Sequence, residues 1–566
     1  MRLDAAHPSE TPEGIFIALR PAGIMARSIA YLVDWLIRWA ILAVLFTFAV
    51  GLGGLAQGLI LIAYFVLEWL YPVAFEMTRR GATPGKRLMG LRVVMDTGQP
   101  VTLGASLTRN LLRAADFLPG FYGAGAVAIL LRRDSKRLGD MAAGTLVVFD
   151  HSADLDGRLP EADILDPGRA LTLPEQAVIV ALAGRHGRLT PQRFDELARM
   201  AGSALPDTDD RATATRRLLG VAQWAVGRHP YGAPQAPRQF EIAHAPGWAE
   251  LDTLVTASQQ GKRHEGARLA ALYRQACGHL ALAQSRAYPA YLVRRLETLV
   301  QRAHTVVYRP RGAGRKALGR FLLIDFPQAV RTHWRYVLAS ALLFSVPLLV
   351  LGVAAALDRD LASQILGASQ VREFDDMYRG GAEALGRKRD AGDDWTMFGF
   401  YIMNNIGIGF QCFASGIFAG VGSVFFIVYN GASIGLVGGY MVAAGHSANF
   451  YSFVATHAAF ELTAIVLAGA AGLMIGHAWL APGTLTRLEA LKRAAGQAVV
   501  LVYGVTAMLL VAAAIEAFWS SSRWIEPSVK YSVAAACWLL VIGYLGWQGR
   551  PRRDPAPGQE AAHAGR

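Results

Sequence analysis

The 566-residue sequence predicts an all-α fold, a polytopic helical membrane protein with an inserted cytoplasmic helical region. Three observations predict it. At least seven stretches are apolar over the ~20 residues needed to cross ~30 Å of hydrocarbon. Only 17% of residues are charged, against about a quarter in a soluble globular chain, and the charges crowd into 150–333. The excess of Lys and Arg, a net +13, sits largely beside apolar segments, as at Arg79, Arg80, Lys86 and Arg87 and at Arg132, Arg133, Lys136 and Arg137. Cytoplasmic loops and anionic headgroups favour that placement, so nucleic acid is not an expected partner and the lipid bilayer is.

In chain order, the N-terminus is polar and contains acids, so no cleaved signal peptide is expected. Two spans follow, at about 28–49 and 54–76. The loop 79–92 then holds five Lys or Arg and no acid, which places it in the cytoplasm. Residues 103–131 read as an amphipathic helix, a Pro119-Gly120 break and an apolar run too short to span. A helical hairpin entering and leaving from the cytoplasm fits, with one long bent span as the alternative. This first membrane block is residues 1–150.

Residues 151–333 contain no span. Leu269, Leu272, Tyr273, Ala276 and Leu280 share one helical face, as do Leu292, Leu296, Leu299, Ala303 and Val306. Three prolines in 229–237 break any helix there and split the region near 229–238. In 315–335, Leu318, Phe321, Leu322, Phe326 and Val330 alternate with arginines and Lys316, the pattern of a helix lying in the membrane interface.

A second membrane block, 334–548, offers six candidate spans, at about 336–357, 397–420, 423–444, 450–478, 497–518 and 531–547. Six crossings from the cytoplasm put the basic loop 480–496 and the tail 549–566, expected to be disordered, inside. They put 358–396, with Asp358, Asp360, Glu373, Asp375 and Asp376, outside. Both termini are then cytoplasmic. The uncharged Tyr429-Asn430-Gly431 reads as a break, either a loop or a broken helix.

The candidate functional residues are polar groups inside apolar helices, because such groups cost several kcal/mol in lipid unless paired, snorkelled or hydrated. In the first block these are Arg27, Asp34, Arg38, Arg109, Arg113, Asp116, Asp134 and Asp140. Arg27 and Asp34 lie two turns apart on one face. Asp34 pairing with an arginine to fix packing is one reading; an ion or proton path through Asp34 and Asp116 is the other. In the second block the polar cluster is Asn404, Asn405, Asn430, His457, Glu461 and Glu516. His457 and Glu461 share a helix face, suiting a hydrogen-bond cluster, a proton path or a divalent metal, with Glu516, His446 or an asparagine as third ligand. Gly416, Gly420, Gly431, Gly435, Gly438 and Gly439 offer a close-packing face on which a homodimer could form.

Enzyme signatures are absent. GATPGKR has only three residues between Gly81 and Gly85, so it is no phosphate-binding loop, and H-E-x-x-H does not occur. Cys277, Cys412 and Cys537 form no disulfide or thiolate-metal pattern, and no cofactor is expected beyond a metal at His457 and Glu461.

GIMARSIAYLVD (23–34), GATPGKRLMGLRVV (81–94), RNLLRAADFLPG (109–120) and RRDSKRLGDMAAGTLVV (132–148) resemble the RDD family of bacterial membrane proteins. The resemblance makes Arg27 the family's arginine and places its two aspartates among Asp34, Asp116 and Asp140. Some relatives are linked to cation/proton exchange. NNIGIGFQCFASGIFAG (404–420), VYNGASIG (428–435), FVATHAAFELTAIVLAGAAGLMIG (453–476) and the helical segment 272–308 resemble the stage II sporulation protein M family, whose His-Gly-x-x-Glu stands here as His457-Ala-Ala-Phe-Glu461. The resemblance implies a non-enzymatic integral membrane scaffold of the bacterial cell envelope that organises cell-wall remodelling partners in the inner membrane. The alternative is a transporter or channel component using the buried Asp, Glu and His residues.

Overall fold

A computed structural model describes residues 7–10, 13–14, 16–49, 53–78, 80–118, 120, 122–150, 159–207, 213–226, 235–260, 265–308, 315–378, 391–522 and 524–550. Part of the Pro-rich stretch 229–237, Pro119 of the expected hairpin break and the tail from 551 lie outside the described residues. The chain forms two compact units, each built from separate segments.

The larger unit takes 23–89, 101–145 and 311–566. Among the described residues, seven of its helices are long and apolar enough to cross a membrane: Ile24–Ala49, Gly53–Glu76, Trp334–Leu357, Val421–Ala443, Ser447–Leu480, Arg487–Ser520 and Pro527–Trp547. Ile24–Ala49 and Trp334–Leu357 leave large apolar side chains such as Leu36, Trp39, Phe46, Leu349 and Val350 exposed, which only a lipid solvent stabilises. An eighth long helix, Ala391–Ala414, carries Asp393 and Asp394 in its first turn. It begins six residues before the span expected from hydropathy and ends in a short 3-10 turn, Ser415–Ile417. Ala419 and Gly420 then adopt positive φ and reverse the chain. The expected break at Tyr429-Asn430-Gly431 is not there: Val421–Ala443 runs unbroken through it, and Asn430 donates to the Phe426 carbonyl one turn back.

Both membrane blocks contribute to one core. Phe65, Leu112, Ala115 and Met141 cluster with Ile406, Phe413, Ala471, Leu501 and Leu509. Glycines line the crossing of Gly53–Glu76 with Ala391–Ala414. A Cβ on Gly58 would lie 2.1 Å from the Trp395 carbonyl oxygen, and one on Gly399 would lie 2.5 Å from that of Gly58. Thr396 Oγ1 donates to the Gly54 carbonyl across the same crossing at 2.7 Å.

Residues 103–131 do not form one long bent span. They make Leu103–Leu111, Arg113–Asp116 and Gly123–Leu131, with Tyr122 in the left-handed region before the last helix. The expected interfacial segment folds as Arg315–Arg320, a π turn Phe321–Asp325 and Phe326–Thr332. Leu318 and Leu323 stay exposed while Phe326 and Val330 turn into the core. The segment 358–396 is a folded cap where described. Arg359–Leu366 and Ala368–Tyr378 bury Ala362 and Val371 against Tyr440, Met441 and Phe450, while Asp358, Asp360, Glu373 and Asp376 stay exposed.

The smaller unit takes 1–22, 90–100 and 146–310. Its only strands among the described residues are two ribbons, His7–Glu10 with Phe16–Leu19 and Leu91–Met95 with Thr145–Phe149. Two separate cores follow. One gathers Leu171, Ile179, Phe194, Leu218 and Trp224. The other packs helices Gln235–Gln259, Gly266–Ser285 and Ala290–Val307 through Trp248, Leu251, Leu272, Tyr273, Leu280, Leu296 and Val300, with Leu19, Val94 and Val148 from the ribbons. Pro237 sits in the first turn of its helix, where a missing N–H removes no helical bond.

Candidate functional site

Two polar centres lie within the membrane unit. The first gathers the charges of the N-terminal block. Asp140, near the start of helix Leu138–Ala143, is fully buried. It accepts hydrogen bonds from Arg27 Nη2 at 2.5 Å and from Arg109 Nε and Nη2 at 3.0 and 2.8 Å. Burial opposes its charge, but Arg27, Arg109 and Arg137 outweigh that and hold its carboxyl well below the usual carboxylate range. Arg109 continues to Glu76, which also accepts from Lys86 Nζ at 2.6 Å, Ser106 Oγ at 2.7 Å and Asn110 Nδ2 at 3.1 Å. Glu68 takes Arg38 Nη1 at 2.5 Å and Arg113 Nη2 at 2.8 Å. Asp116 accepts from the Leu138 N–H at 3.0 Å, with Arg137 Nε 3.4 Å from its other oxygen, an ion-pair distance without hydrogen-bond geometry.

Among the described residues, no arginine side chain pairs with the Asp34 carboxylate. That carboxylate accepts from Tyr71 OH at 3.0 Å, Thr83 Oγ1 at 2.5 Å and the Gly85 N–H at 2.8 Å. Arg27, on the same face, goes to Asp140 instead. The GATPG loop makes this possible. Thr83 caps helix Pro84–Leu88, Pro84 starts it, and Gly85 has no side chain to collide with the first span. A Cβ there would lie 2.1 Å from the Ala30 carbonyl oxygen.

The second centre joins two long helices. His457 and Glu461 lie on Ser447–Leu480, with His457 Nε2 3.9 Å from Glu461 Oε2. Glu516 comes from a π turn, Ile515–Ser520, at the end of the next helix. One ligand atom from each of His457, Glu461 and Glu516 lies within 4.8 Å of the others. Ser520 Oγ, on the same π turn, is 3.1 Å from His457 Nδ1. Asn405 Nδ2 donates to Glu516 Oε2 at 3.4 Å, and Asn404 Nδ2 donates to Asn405 Oδ1 at 2.9 Å. Of the third ligands considered from sequence, the fold therefore brings in Glu516. His446 lies instead beside Asp375, at 3.3 Å, and Asn430 is bonded within its own helix.

Residues 21–144 match the model of the RDD family, and residues 340–521 match that of Stage II sporulation protein M. Residues 238–309 match a domain of unknown function, DUF8413. A Bacillus subtilis (strain 168) protein titled "Uncharacterized protein YckC" is 31% identical over 134 residues, covering 23% of this chain and 85% of that protein. The chain belongs to the RDD family and carries a stage II sporulation protein M domain. No solved structure matches it.

The first polar centre thus lies wholly in the RDD domain; of the sequence-read residues, Arg27, Asp116 and Asp140 join its ion-pair network, and Asp34 is held by neutral donors instead. The second lies in the sporulation protein M domain. Glu68 and Glu76 were not singled out by the sequence reading, and Lys86 only as a basic residue of the loop, although all three carry much of the RDD network. Glu76 ends an apolar span and looks like an ordinary boundary charge, whereas Glu68 lies inside that span and was legible as a charge in apolar surroundings. The available signal was an acid at that boundary followed ten residues on by a lysine in an acid-free loop.

Proposed function

We propose that this multi-pass membrane protein is a non-enzymatic scaffold of the bacterial cell envelope, seated in the inner membrane with both termini in the cytoplasm. One observation carries the reading. Most buried charges of the RDD domain are matched to one another, Arg27 and Arg109 to Asp140, Arg109 and Lys86 to Glu76, Arg38 and Arg113 to Glu68. Such a network ties five segments into one frame and suits a platform better than a moving carrier. The cap Arg359–Tyr378 supports the same reading, since it is anchored by its apolar face and presents exposed acids to an external partner. The separate hydrophilic unit supplies a second, cytoplasmic partner surface.

Crosslinking in cells, purification in mild detergent and mass spectrometry test this. Charge reversal at Asp360 and Glu373 is expected to remove an envelope partner while leaving the protein monodisperse. Proteoliposomes are expected to show no ion flux. The second reading, transport, draws on the buried His457, Glu461 and Glu516. It predicts flux that Glu461→Gln or Asp34→Asn abolishes in a folded protein, and that outcome overturns the scaffold.

A further inference from the structure

The cluster in the sporulation protein M domain differs in kind from the RDD network. There, acids meet arginines and lysines. Here, two carboxylates and an imidazole converge from two helices, and two of the three residues are buried. Two carboxylates held together in a low-dielectric site repel each other, and both lose hydration. A divalent cation between them reverses both effects.

The surrounding residues orient the ligands toward one point. Ser520 Oγ engages His457 Nδ1, which leaves Nε2 as the nitrogen facing the carboxylates. A hydrogen-bond acceptor on the far ring nitrogen is the usual means of fixing a metal-binding imidazole, and Ser520 Oγ can take that place. Asn405 holds one oxygen of Glu516, and Asn404 in turn holds Asn405. Lys530, at the edge of the cluster, directs its ammonium to the Ser520 carbonyl at 2.8 Å. The π turn that carries Glu516 and Ser520 is a local departure from the α-helix, of the kind found often at functional sites.

The distances suit an ion. Ligands bound at about 2.0–2.2 Å around a tetrahedral zinc stand about 3.3–3.5 Å apart. The His457–Glu461 separation of 3.9 Å needs only a small rotamer adjustment to reach that. We infer that His457 Nε2, one oxygen of Glu461 and one oxygen of Glu516 form a three-ligand site for a single divalent first-row metal ion, Zn²⁺ or Mn²⁺. One nitrogen and two oxygens with no thiolate point to these ions rather than to Cu⁺. The ion clamps helix Ser447–Leu480 to the π turn ending the next helix. His457 lies about 15 Å along its helix from the Ser447 end, within reach of that membrane face.

The test uses the full chain without a histidine tag, in nanodiscs, stripped with EDTA and titrated with Zn²⁺ alone against a fluorescent chelator. One equivalent per chain is expected. His457→Ala, Glu461→Gln and Glu516→Gln are each expected to weaken binding at least tenfold, and Ser520→Ala roughly ten- to a hundredfold. Asn430→Ala, whose residue bonds within its own helix, is expected to leave it unchanged. X-ray absorption of the loaded wild-type protein is expected to show one imidazole among oxygen ligands, and this decides the matter where a variant fails to fold. No saturable binding, unchanged stoichiometry in the folded ligand variants, or a coordination shell without a single imidazole overturns the site.

Discussion

At the scale of single residues, the RDD network is held by guanidinium forks. Arg109 is fully buried and bridges Glu76 and Asp140, so removing it strands two buried acids at once. Breaking a buried pair by deleting one partner costs about 3–5 kcal/mol. Arg109→Ala is therefore expected to lower stability by at least that amount in detergent melting or unfolding. Arg27→Ala should cost less, because Asp140 retains Arg109 and Arg137. Equal losses for the two would show that the network does not centre on Arg109. Arg109→Lys is not expected to rescue, since an ammonium cannot reproduce the forked contacts.

The histidines of the hydrophilic unit carry a pH dependence. Burial pushes the His279 pKa below its ordinary value, with stacked His244 adding to the effect, and Trp248 Nε1 donates to His279 Nδ1, which must then be unprotonated. Burial also lowers His304, against the pull of Glu13. A base whose pKa falls on folding binds fewer protons when folded, so stability is full above about pH 6.5 and is lost as pH falls toward the folded values. Hydrogen exchange in 240–308, corrected for intrinsic rates, should show less protection at pH 5.5 than at pH 7.5. The contrast should shrink in His279→Phe.

At the scale of elements, the glycine series proposed from sequence as a dimer face is occupied within the chain. Cβ atoms on Gly431, Gly435 and Gly439 would lie 2.2, 2.3 and 2.1 Å from the carbonyl oxygens of Phe344, Leu348 and Gly352 on Trp334–Leu357. Gly416 and Gly420 instead face Gly472 and Gly476. Close backbone approach is what small residues provide in lipid, where helices gain nothing from hiding apolar surface. Gly435→Val is expected to force the two helices apart and destabilise by roughly 1–3 kcal/mol, the cost of overpacking. Engineered cysteine pairs across this contact should crosslink in the parent and fail in the variant. The small-residue pattern was legible in sequence; its partner was not, because a glycine stripe fits a neighbouring helix and a second copy equally well.

At the scale of the whole molecule, the hydrophilic unit is discontinuous. It draws on 1–22 and 90–100 as well as 146–310, so Leu19, Val94 and Val148 belong to its core. Removing 151–310 alone is thus expected to leave those apolar side chains uncovered and to yield aggregated protein on size exclusion. Retaining 235–308 should restore a monodisperse peak, because the helices that cover them lie there. Equal behaviour of the two shortened chains would show that the ribbons do not depend on those helices.

The sequence alone determined the fold class, both family memberships, the location of most long helices and the buried faces of Gly266–Ser285 and Ala290–Val307. Each of these rests on runs and periodicities that a one-dimensional string contains. It also marked His457, Glu461 and Glu516 as polar groups in apolar surroundings. Tertiary structure alone decided the partners: that Arg27 goes to Asp140 and Asp34 to Thr83, Tyr71 and Gly85, that Glu76 and Lys86 join the network, and that Glu516 rather than His446 approaches His457. Side chains tens to hundreds of residues apart meet only because packing fixes the helix rotations and offsets. A buried charge takes whichever neighbour that geometry presents, and no spacing in the sequence records the choice.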